Sequence, residues 1–366
     1  MNYLVYGANG YAGRLIVREA LLRGQHPILA GRNAAALASQ AKETGLEQRC
    51  FALDEPKAID AAITGVGSVL HCAGPFSQTS KPMADACLRT GNHYIDITGE
   101  PDIFEVLSRR DAEAKAAGIT LMPGVGFDVV PSDCLSAHLK RRLPSATHLT
   151  LAVRAAVDVS RGTASTMVEN LFAGAIVREA GVITTIAAAS RTREVDFGDA
   201  TTRVVIVPWG DIASAFHSTG IPNIEFYAVM PGAMVAALRV SHYLKWALGS
   251  APVQGFMKKR IQSMKAGPTD AQRGRGSSIF WGEARDDAGR SVVSRLRGPE
   301  GYTWTVLTAL ATMDRILAGD VPLGYRTPSM AYGPDFILGP GVIREDDPEV
   351  MTPTRQGDAR PAALSV

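Results

Sequence analysis

The sequence lacks the features that mark several common classes of protein. Only four cysteines occur in 366 residues and none forms a CxxC pair, so the pattern predicts neither a zinc ribbon nor a redox dithiol. Basic and acidic residues nearly balance, with a formal net charge of +2, so the chain lacks the basic excess typical of nucleic-acid-binding domains. No basic, apolar leader precedes the first predicted strand. We therefore expect a cytoplasmic protein with reduced thiols, small-molecule partners and no nucleic acid.

Several catalytic motifs are absent as well. The sequence contains no HExxH, GxxxxGK[ST] or GxSxG segment, which argues against the common zinc protease, P-loop and α/β-hydrolase classes. None of the nine tyrosines has a lysine four residues later, the arrangement with which short-chain reductases lower the pKa of a catalytic tyrosine. We expect no metal site.

No apolar segment has the length of about 20 residues that a transmembrane helix needs. Residues 233–248 are apolar but are interrupted by Arg239, His242 and Lys245. We interpret them as an amphipathic helix in a core or an interface, with a peripheral membrane contact as the alternative. The basic stretch over residues 258–275 is interpreted as a solvated loop, with a contact to the phosphates of a carrier-linked substrate as the alternative.

The first 30 residues carry the most informative pattern. Residues 3–6 form an apolar run typical of a buried parallel strand, and the amphipathic helix that follows is closed by Gly24. Glycines lie between them, where a pyrophosphate needs close access to backbone N–H groups and to the positive end of a helix. With a second strand at residues 27–30, the segment predicts a dinucleotide-binding βαβ unit; the alternative is a βα turn whose glycines serve packing alone. The candidate cofactor-binding residues of the turn are Gly7, Asn9, Gly10, Tyr11, Ala12 and Gly13.

The residues after the second strand indicate which dinucleotide binds. Gly31, Arg32 and Asn33 stand where an NAD site usually has an acidic residue for the ribose 2′-hydroxyl. Arginine instead offers a planar cation to a 2′-phosphate, so we predict NADP, with NAD as the less favoured cofactor. Asn33 has an alternative interpretation as the N-cap of a helix over residues 34–44.

The alternation of strands and helices up to Met122 predicts an α/β fold, with six βα units in a Rossmann-type, doubly wound parallel sheet. Ligands of such sheets bind beyond the carboxyl ends of the strands. There Asp54 is a candidate for contact with the adenine, or a solvated turn residue. The loop with Ala73, Gly74 and Pro75 is expected to cover the nicotinamide or its ribose. One long helix is predicted over residues 101–117.

The pattern changes after Met122, which suggests an NADP-binding domain (residues 1–125) followed by a substrate and dimerisation domain (residues 126–325). The second domain is predicted to be α+β with a mixed or antiparallel sheet. It includes a helix over residues 164–180 and a hairpin of residues 279–284 with residues 291–296. Residues 326–366 are predicted to return towards the first domain and to end in a poorly ordered tail.

Several motifs of the first 135 residues resemble those of the saccharopine dehydrogenase-like oxidoreductases. The motifs are YGANGYAG (6–13), AGRN (30–33), CAGPF (72–76), YIDITGE (94–100) and GFDVVPSD (126–133). The resemblance implies an NAD(P)-dependent oxidoreductase with a Rossmann domain and an inserted α/β domain, often a homodimer. It implies hydride transfer from NADPH, either to a C=N acceptor, as in saccharopine reductases, or to the C=C bond of a carrier-linked acyl chain, as in trans-acting enoyl reductases. The GFDVVPSD segment and the apolar helix near residue 240 look more like the enoyl reductases.

Asp128 and Tyr302 are the candidates for catalysis or substrate anchoring. Hydride transfer needs a proton donor near the nicotinamide, and a carboxyl group serves near neutral pH only if burial raises its pKa. Each candidate has a structural alternative, since Asp128 is also suited to brace a turn and Tyr302 to pack at a helix start. Cys134 is interpreted as a buried thiol rather than a thioester-forming nucleophile. The alternative function of the chain is a non-catalytic NADP-binding sensor or scaffold.

Overall fold

Two β-sheets organise the chain, the first with seven strands and the second with ten. The structure is a computed structural model, and it describes residues 2–155, 160, 174–241 and 267–351. All structural statements below concern these residues.

The first sheet is parallel throughout, because every neighbouring pair of its strands runs in the same direction. Its strands are β1 (Tyr3–Tyr6), β2 (Ile28–Gly31), β3 (Gln48–Cys50), β4 (Ser68–His71), β5 (His93–Asp96), β6 (Thr120–Met122) and, from much later in the chain, β15 (Gly324–Tyr325). The central strands β1, β2 and β4 are fully buried, as expected for a sheet covered on both faces. The order β15-β6-β5-β4-β1-β2-β3 confirms the predicted doubly wound fold.

Six helices connect the strands of the first sheet. They are α1 (Tyr11–Leu22), α2 (Ala34–Thr44), α3 (Pro56–Ile63), α4 (Phe76–Thr90), α5 (Pro101–Ser108) and α6 (Asp111–Ala116). The apolar side chains of α1 and α2 pack on one face of the sheet, and those of α3 to α6 pack on the other. The sheet is therefore the middle of three layers.

The prediction of one long helix over residues 101–117 is wrong, because α5 and α6 occupy this range separately. Between them Arg110 leaves the helical conformation, with φ −99° and ψ 12°. Its guanidinium donates hydrogen bonds to Asp85 at 2.6 Å and to Glu113 at 2.8 Å. Both short helices bury apolar residues in the same core, so the apolar periodicity of the sequence contains no sign of the break.

The second sheet is mixed, since β12 pairs parallel with β7 whereas the other described pairs are antiparallel. Its strands are β7 (His148–Ala155), β8 (Ala175–Glu179), β9 (Val182–Ile186), β10 (Thr192–Asp196), β11 (Thr201–Ile206), β12 (Asn223–Ala228), β13 (Ser277–Arg285), β14 (Arg290–Pro299), β16 (Ile343–Asp346) and β17 (Val350–Met351). The pairing of β13 with β14 confirms the predicted hairpin.

The predicted helix over residues 164–180 is wrong where the structure describes it, because residues 175–179 form β8 in a hairpin with β9. Ala180 and Gly181 make the tight turn of this hairpin, with φ of 49° and 83°. A glycine that ends a helix and a glycine in a hairpin turn adopt the same left-handed conformation, so Gly181 suited both interpretations. Residues 161–173 lie outside the described residues.

The second sheet curls so that the β10–β11 turn lies over β14. Arg295 and Arg297 of β14 donate hydrogen bonds to the carbonyl oxygens of Asp196 (2.8 Å) and Phe197 (2.6 Å) in that turn, although β10 and β14 are far apart in the strand order. The curled part encloses a separate apolar core that includes Phe197 and Trp281.

The remaining described helices pack on both sheets. They are α7 (Val130–Arg142), α8 (Asp211–Thr219), α9 (Gly232–Ser241), α10 (Asp270–Arg275), α11 (Gly301–Leu317) and α12 (Pro328–Tyr332). Helix α7 packs on the second sheet, where a Cβ on Gly282 would lie 2.6 Å from Leu139 Cδ1. Helix α11 packs beside α1 and contributes to the core of the first sheet. No helix in the described ranges is long and apolar enough to cross a membrane.

The described C-terminal residues contact both sheets. Strand β15 extends the first sheet, α12 packs against α7, and β16 and β17 pair with β14. Residues 352–366, and residues 242–248 of the predicted apolar helix, lie outside the described residues. The predicted domain boundaries at residues 125 and 325 stay predictions.

Candidate functional site

The strand order places a topological switch point between β1 and β4. From β1 the chain continues to β2 and β3 on one side and then crosses to β4 on the other. The loops after β1 and β4 touch there, because a Cβ on Gly7 would lie 2.9 Å from Ala73 Cβ and 3.0 Å from the carbonyl carbon of Cys72. Ligands of doubly wound sheets bind in the crevice at such a point.

The Gly-rich turn brings the backbone close to this crevice. Gly7 has φ +84°, and its carbonyl accepts a hydrogen bond from Gly10 N at 2.9 Å. Gly10 is the N-cap of α1 but has no side chain to cap the helix, and the first turn of α1 contains no acidic residue. A Cβ on Gly13 would lie 2.3 Å from Gly7 O, so only glycine allows α1 to lie this close to the turn. The uncapped first N–H groups of α1, on Tyr11, Ala12 and Gly13, are available to an anion.

The residues after β2 border the same turn. A Cβ on Gly31 would lie 3.1 Å from Asn9 Oδ1, so a side chain at this point would crowd Asn9. Arg32 follows at the surface with its side chain exposed. The side chain of Asn33 accepts a hydrogen bond from Ala36 N at 3.0 Å, which confirms its alternative interpretation as the N-cap of α2. Asp54, beyond β3, is exposed.

The loop after β4 leads directly into α4. Helix α4 begins at Phe76, where the Glu100 carboxylate accepts hydrogen bonds from Phe76 N (2.8 Å) and Ser77 N (2.7 Å). The N-terminus of α4 is thereby capped by a side chain from the loop after β5, which the local sequence does not indicate. Ala73, Gly74 and Pro75 lie between β4 and this helix start, at the carboxyl edge of the sheet.

Neither of the two titratable residues at the end of β4 suits proton transfer. His71 is fully buried among aromatic rings, and burial lowers its pKa to about 3, so the imidazole stays neutral. Burial raises the pKa of the Cys72 thiol, which therefore stays protonated. Cys134 is also buried, with a thiol pKa raised well above its usual value by burial, which confirms its interpretation as a buried thiol.

Asp96, at the end of β5, connects the first sheet to the segment that crosses to α7. One carboxylate oxygen accepts hydrogen bonds from Thr98 N (2.9 Å) and Gly124 N (3.0 Å), and the other accepts one from the Tyr94 hydroxyl (2.6 Å). Burial raises the pKa of Asp96 to about 6, and these hydrogen bonds oppose that shift. The side chain thus fixes the crossing against the carboxyl edge of the sheet.

Asp128 lies in this crossing, just before α7. Its side chain is half-buried against Gly99, where an added Cβ would lie 2.8 Å from Asp128 Cβ. Burial raises its pKa to about 6, with no other contribution. Asp128 therefore has the protonation behaviour expected of a carboxylic acid that acts near neutral pH.

Tyr302 is the second residue of α11 and lies beside the Gly-rich turn. Its ring meets the ring of Tyr11 edge-on at 4.8 Å between centroids, and its hydroxyl oxygen accepts a hydrogen bond from Ser160 N at 2.7 Å. Asp128 and Tyr302 are linked through the residues that precede them, Phe127 and Gly301. A Cβ on Gly301 would lie 3.1 Å from the Phe127 ring. The segments that carry the two candidates therefore lie against each other at Phe127 and Gly301.

Glu300 and Arg273 are two residues at this site that sequence reasoning did not single out as site residues. Glu300 is the N-cap of α11, and its carboxylate accepts hydrogen bonds from Tyr302 N (3.0 Å) and Thr303 N (3.1 Å). Arg273 belongs to the basic stretch but hydrogen-bonds the Tyr11 hydroxyl oxygen at 2.8 Å, so it is not a solvated loop residue. Both had a local signal, since Glu300 is an acidic residue before an apolar helix and Arg273 belongs to the basic stretch for which a phosphate contact was the alternative. Among the described residues, no group of three or more His, Cys, Asp or Glu side chains is placed to hold a metal ion.

Comparisons with known proteins agree with this geometry. Residues 3–122 match the model of the saccharopine dehydrogenase NADP binding domain. A probable mitochondrial saccharopine dehydrogenase-like oxidoreductase of Arabidopsis thaliana is 29% identical over 147 residues, which are 36% of this chain and 32% of that protein. A trans-acting enoyl reductase of Mycobacterium leprae is 30% identical over 148 residues, 38% of this chain and 35% of that protein. A human saccharopine dehydrogenase-like oxidoreductase is 27% identical over 150 residues, 36% of this chain and 35% of that protein.

A solved structure extends the likeness beyond the first domain. Apo saccharopine dehydrogenase (L-Glu forming) from Saccharomyces cerevisiae superposes with a TM-score of 0.64 at 11% identity, covering 95% of this chain and 100% of that one. At this identity the match shows a shared fold. The curated relatives match over about a third of their own length. The predicted resemblance to the saccharopine dehydrogenase-like oxidoreductases is confirmed, and it is carried by residues 3–122, which are similar to the saccharopine dehydrogenase NADP binding domain.

Proposed function

We propose that the chain is an NADP(H)-dependent oxidoreductase that transfers hydride from NADPH to a C=C (enoyl) or C=N acceptor. The observation that carries the proposal is the uncapped N-terminus of α1 at the switch point of the first sheet, inside the segment that matches an NADP-binding domain. The names of the relatives describe oxidoreductases, which supports the same class of activity.

The described residues fit the cofactor at three places. The N–H groups of Tyr11, Ala12 and Gly13 suit the diphosphate, because no side chain caps them. Arg32 suits the 2′-phosphate, since it is exposed and directly follows β2. The loop with Ala73, Gly74 and Pro75 suits the nicotinamide end, because it leaves the adjacent strand β4 at the same edge.

The proton that completes the reduction is assigned to Asp128. NADPH supplies the hydride when bound, and the acceptor atom that gains the electron pair needs a proton from the protein or from water. Asp128 is half-buried at the carboxyl edge, and its pKa of about 6 allows it to hold a proton close to neutral pH. Tyr302 is assigned to anchor the acceptor, since it lies against Tyr11 at the start of α1.

The acceptor class is tested by incubating the protein and NADPH with a panel of enoyl thioesters and preformed imines. Oxidation is followed by the absorbance of the reduced nicotinamide. We favour the enoyl acceptors, because one relative is a trans-acting enoyl reductase and its name makes a carrier-linked acyl chain the first substrate to test. Binding of NADPH without turnover of any substrate would favour the alternative function, a non-catalytic NADP-binding sensor or scaffold.

The assembly and the location of the protein stay predictions. We predict a homodimer, a cytoplasmic location and, at most, peripheral contact with membranes. One relative is named as probably mitochondrial.

Replacement of Gly10 by valine is expected to abolish NADPH binding while the circular dichroism spectrum stays near that of the wild type. A Cβ at this position would lie 3.1 Å from Gly7 O, and the two valine methyl groups would occupy the approach to the N–H groups of α1. Gly339→Val is the control, because a Cβ on Gly339 meets no atom within 4 Å. If Gly10→Val still binds NADPH in a fluorescence titration, the glycines of the turn serve packing alone.

Arg32→Glu is expected to weaken NADPH binding by about 10- to 100-fold, the range of a lost charge-assisted hydrogen bond. NADH binding is expected to change little, because NADH lacks the 2′-phosphate. Asn33→Ala is the matched control: it removes the N-cap of α2 but no cation, so the ratio of the two dissociation constants stays that of the wild type. Equal affinities of the wild-type protein for NADPH and NADH, unchanged in Arg32→Glu, would contradict the assignment.

Asp128→Asn is expected to lower kcat by about 100-fold or more, the range for loss of a general acid. Because burial raises the pKa of Asp128 to about 6, the carboxyl group is protonated below this pH and loses its proton above it. The kcat of the wild-type protein is therefore expected to fall as the pH rises through about 6, and the variant to lack this dependence. The control is Asp102→Asn, an exposed carboxylate in the first turn of α5.

Measurements of stability separate this role from a structural one. The raised pKa means that the folded protein holds the Asp128 proton more tightly than the unfolded chain, so this group destabilises the fold as the pH rises from about 4 to about 6. Asp128→Asn removes that penalty, and its Tm at pH 8 is expected to equal or exceed that of the wild type. Full turnover by both Asp128→Asn and Tyr302→Phe would show that the catalytic site lies elsewhere.

A further inference from the structure

Residues 267–275, here named the strap, cross the first turn of α1. The Tyr11 hydroxyl donates a hydrogen bond to the Pro268 carbonyl, and Arg273 Nη1 donates one to the Tyr11 hydroxyl oxygen at 2.8 Å. A Cβ on Gly267 would lie 2.7 Å from the Tyr11 ring. The strap immediately precedes β13 of the second sheet, so it joins that sheet to the Gly-rich turn of the first.

The strap has a defined local structure of its own. Thr269 is the N-cap of α10 and accepts a hydrogen bond from Gln272 N at 3.3 Å, while the Gln272 side chain accepts one from Thr269 N at 2.8 Å. This reciprocal capping box fixes the start of α10. It thereby holds Arg273, on the next turn, at a constant position beside Tyr11.

The charged groups around this contact are Arg18, Arg273, Asp270 and, buried at the start of α11, Glu300. Asp270 is the shared partner of Arg18 (2.9 Å) and Arg273 (2.6 Å), so one carboxylate faces two guanidinium groups. The side chain of Arg273 is only 9% exposed, whereas that of Asp270 is 70% exposed and therefore well screened by water. The positive end of α1 lies next to the same cations. The Arg273 guanidinium and this helix end together suit an anionic group.

We propose that Arg273 binds the diphosphate of the cofactor and that the strap closes over it. The inference rests on the proposed function, because it assigns a further residue to the same cofactor site. Arg273 donates hydrogen bonds through Nη1 and Nη2, so among the described residues its Nε–H has no hydrogen-bond acceptor. The diphosphate takes this donor in the bound state, together with the N–H groups at the start of α1.

The same contact connects cofactor binding to the candidate catalytic residues. Tyr11 meets the strap through its hydroxyl and meets Tyr302 through its ring, at 4.8 Å between centroids. A cofactor that fixes Arg273 and Tyr11 also fixes the start of α11. Arg273 is thus a binding residue for the cofactor and, through Tyr11, a positioning residue for Tyr302.

The first test compares Arg273→Gln with Arg275→Gln in the full chain, by fluorescence titration with NADPH and with NADH. Arg275 lies on the same short helix but is exposed, which makes it a matched control. Arg273→Gln is expected to weaken the binding of both cofactors by the same factor, about 10- to 100-fold, because both carry the diphosphate. Arg275→Gln is expected to change neither by more than about twofold, as for a surface residue without a partner in the site.

Two further measurements distinguish a phosphate contact from a structural one. Tyr11→Phe removes the hydroxyl that accepts from Arg273 but keeps the guanidinium, so it is expected to retain most of the NADPH affinity that Arg273→Gln loses. The dependence of the NADPH dissociation constant on salt is expected to be shallower in Arg273→Gln than in the wild type. NADPH is also expected to slow tryptic cleavage after Arg275 in the wild type but not in Arg273→Gln.

The outcomes separate this inference from the proposed function. If Arg273→Gln binds NADPH as tightly as Arg275→Gln does, or if Tyr11→Phe loses as much affinity as Arg273→Gln, the phosphate contact is refuted while NADPH binding stands. If the wild-type protein binds neither NADPH nor NADH, the proposed function fails and this inference fails with it.

Discussion

The close approach of three backbone segments at the switch point determines most of this structure. Gly7 lies against the loop after β4, and Gly13 lies against Gly7 O, at distances where any Cβ would collide. These contacts hold α1 with its first N–H groups directed at the crevice and with no side chain to cap them. A positively polarised helix end that no side chain caps, beside the carboxyl edge of the sheet, is suited to an anionic ligand.

The rest of the molecule completes this edge from parts that are distant in sequence. Asp96 fixes the crossing before α7, and Thr308 of α11 donates a hydrogen bond to the Val125 carbonyl of that crossing at 2.8 Å. Helix α11 packs beside α1 in the core of the first sheet, although in the chain it directly follows strand β14 of the second sheet. The crossing is therefore held by both β5 and α11, with Asp128 on the crossing and Tyr302 at the start of α11.

The sequence was sufficient where a local pattern determines the structure. Buried parallel strands are short apolar runs and an N-cap marks a helix start, so β1 and the helix α2 were predicted with the bounds that the structure has. The sequence was insufficient where a residue distant in the chain determines where a helix begins or ends. The start of α4 depends on Glu100, and the break at Arg110 depends on Asp85. Strand β15 has two residues and no periodicity to detect, and its pairing with β6 arises only in the folded chain.

The residues of the candidate site fall into the same two groups, those that a local pattern indicates and those that only the folded chain brings into place. Glycine spacing and the basic residue after β2 are local signals, and they led to the Gly-rich turn and to Arg32. The raised pKa of Asp128 arises from burial in the crossing, and the position of Arg273 arises from the packing of the strap on Tyr11. Neither property is present in the order of residues, because each depends on which segments meet in the folded chain.

A crystal structure of the protein with bound NADPH tests the central claim most directly. The account predicts diphosphate density at the N–H groups of Tyr11 and Ala12 and a 2′-phosphate beside Arg32. It also predicts a nicotinamide between the loop of residues 72–76 and the crossing that carries Asp128. Nicotinamide density away from this edge of the first sheet, or a dinucleotide bound elsewhere on the chain, would contradict it.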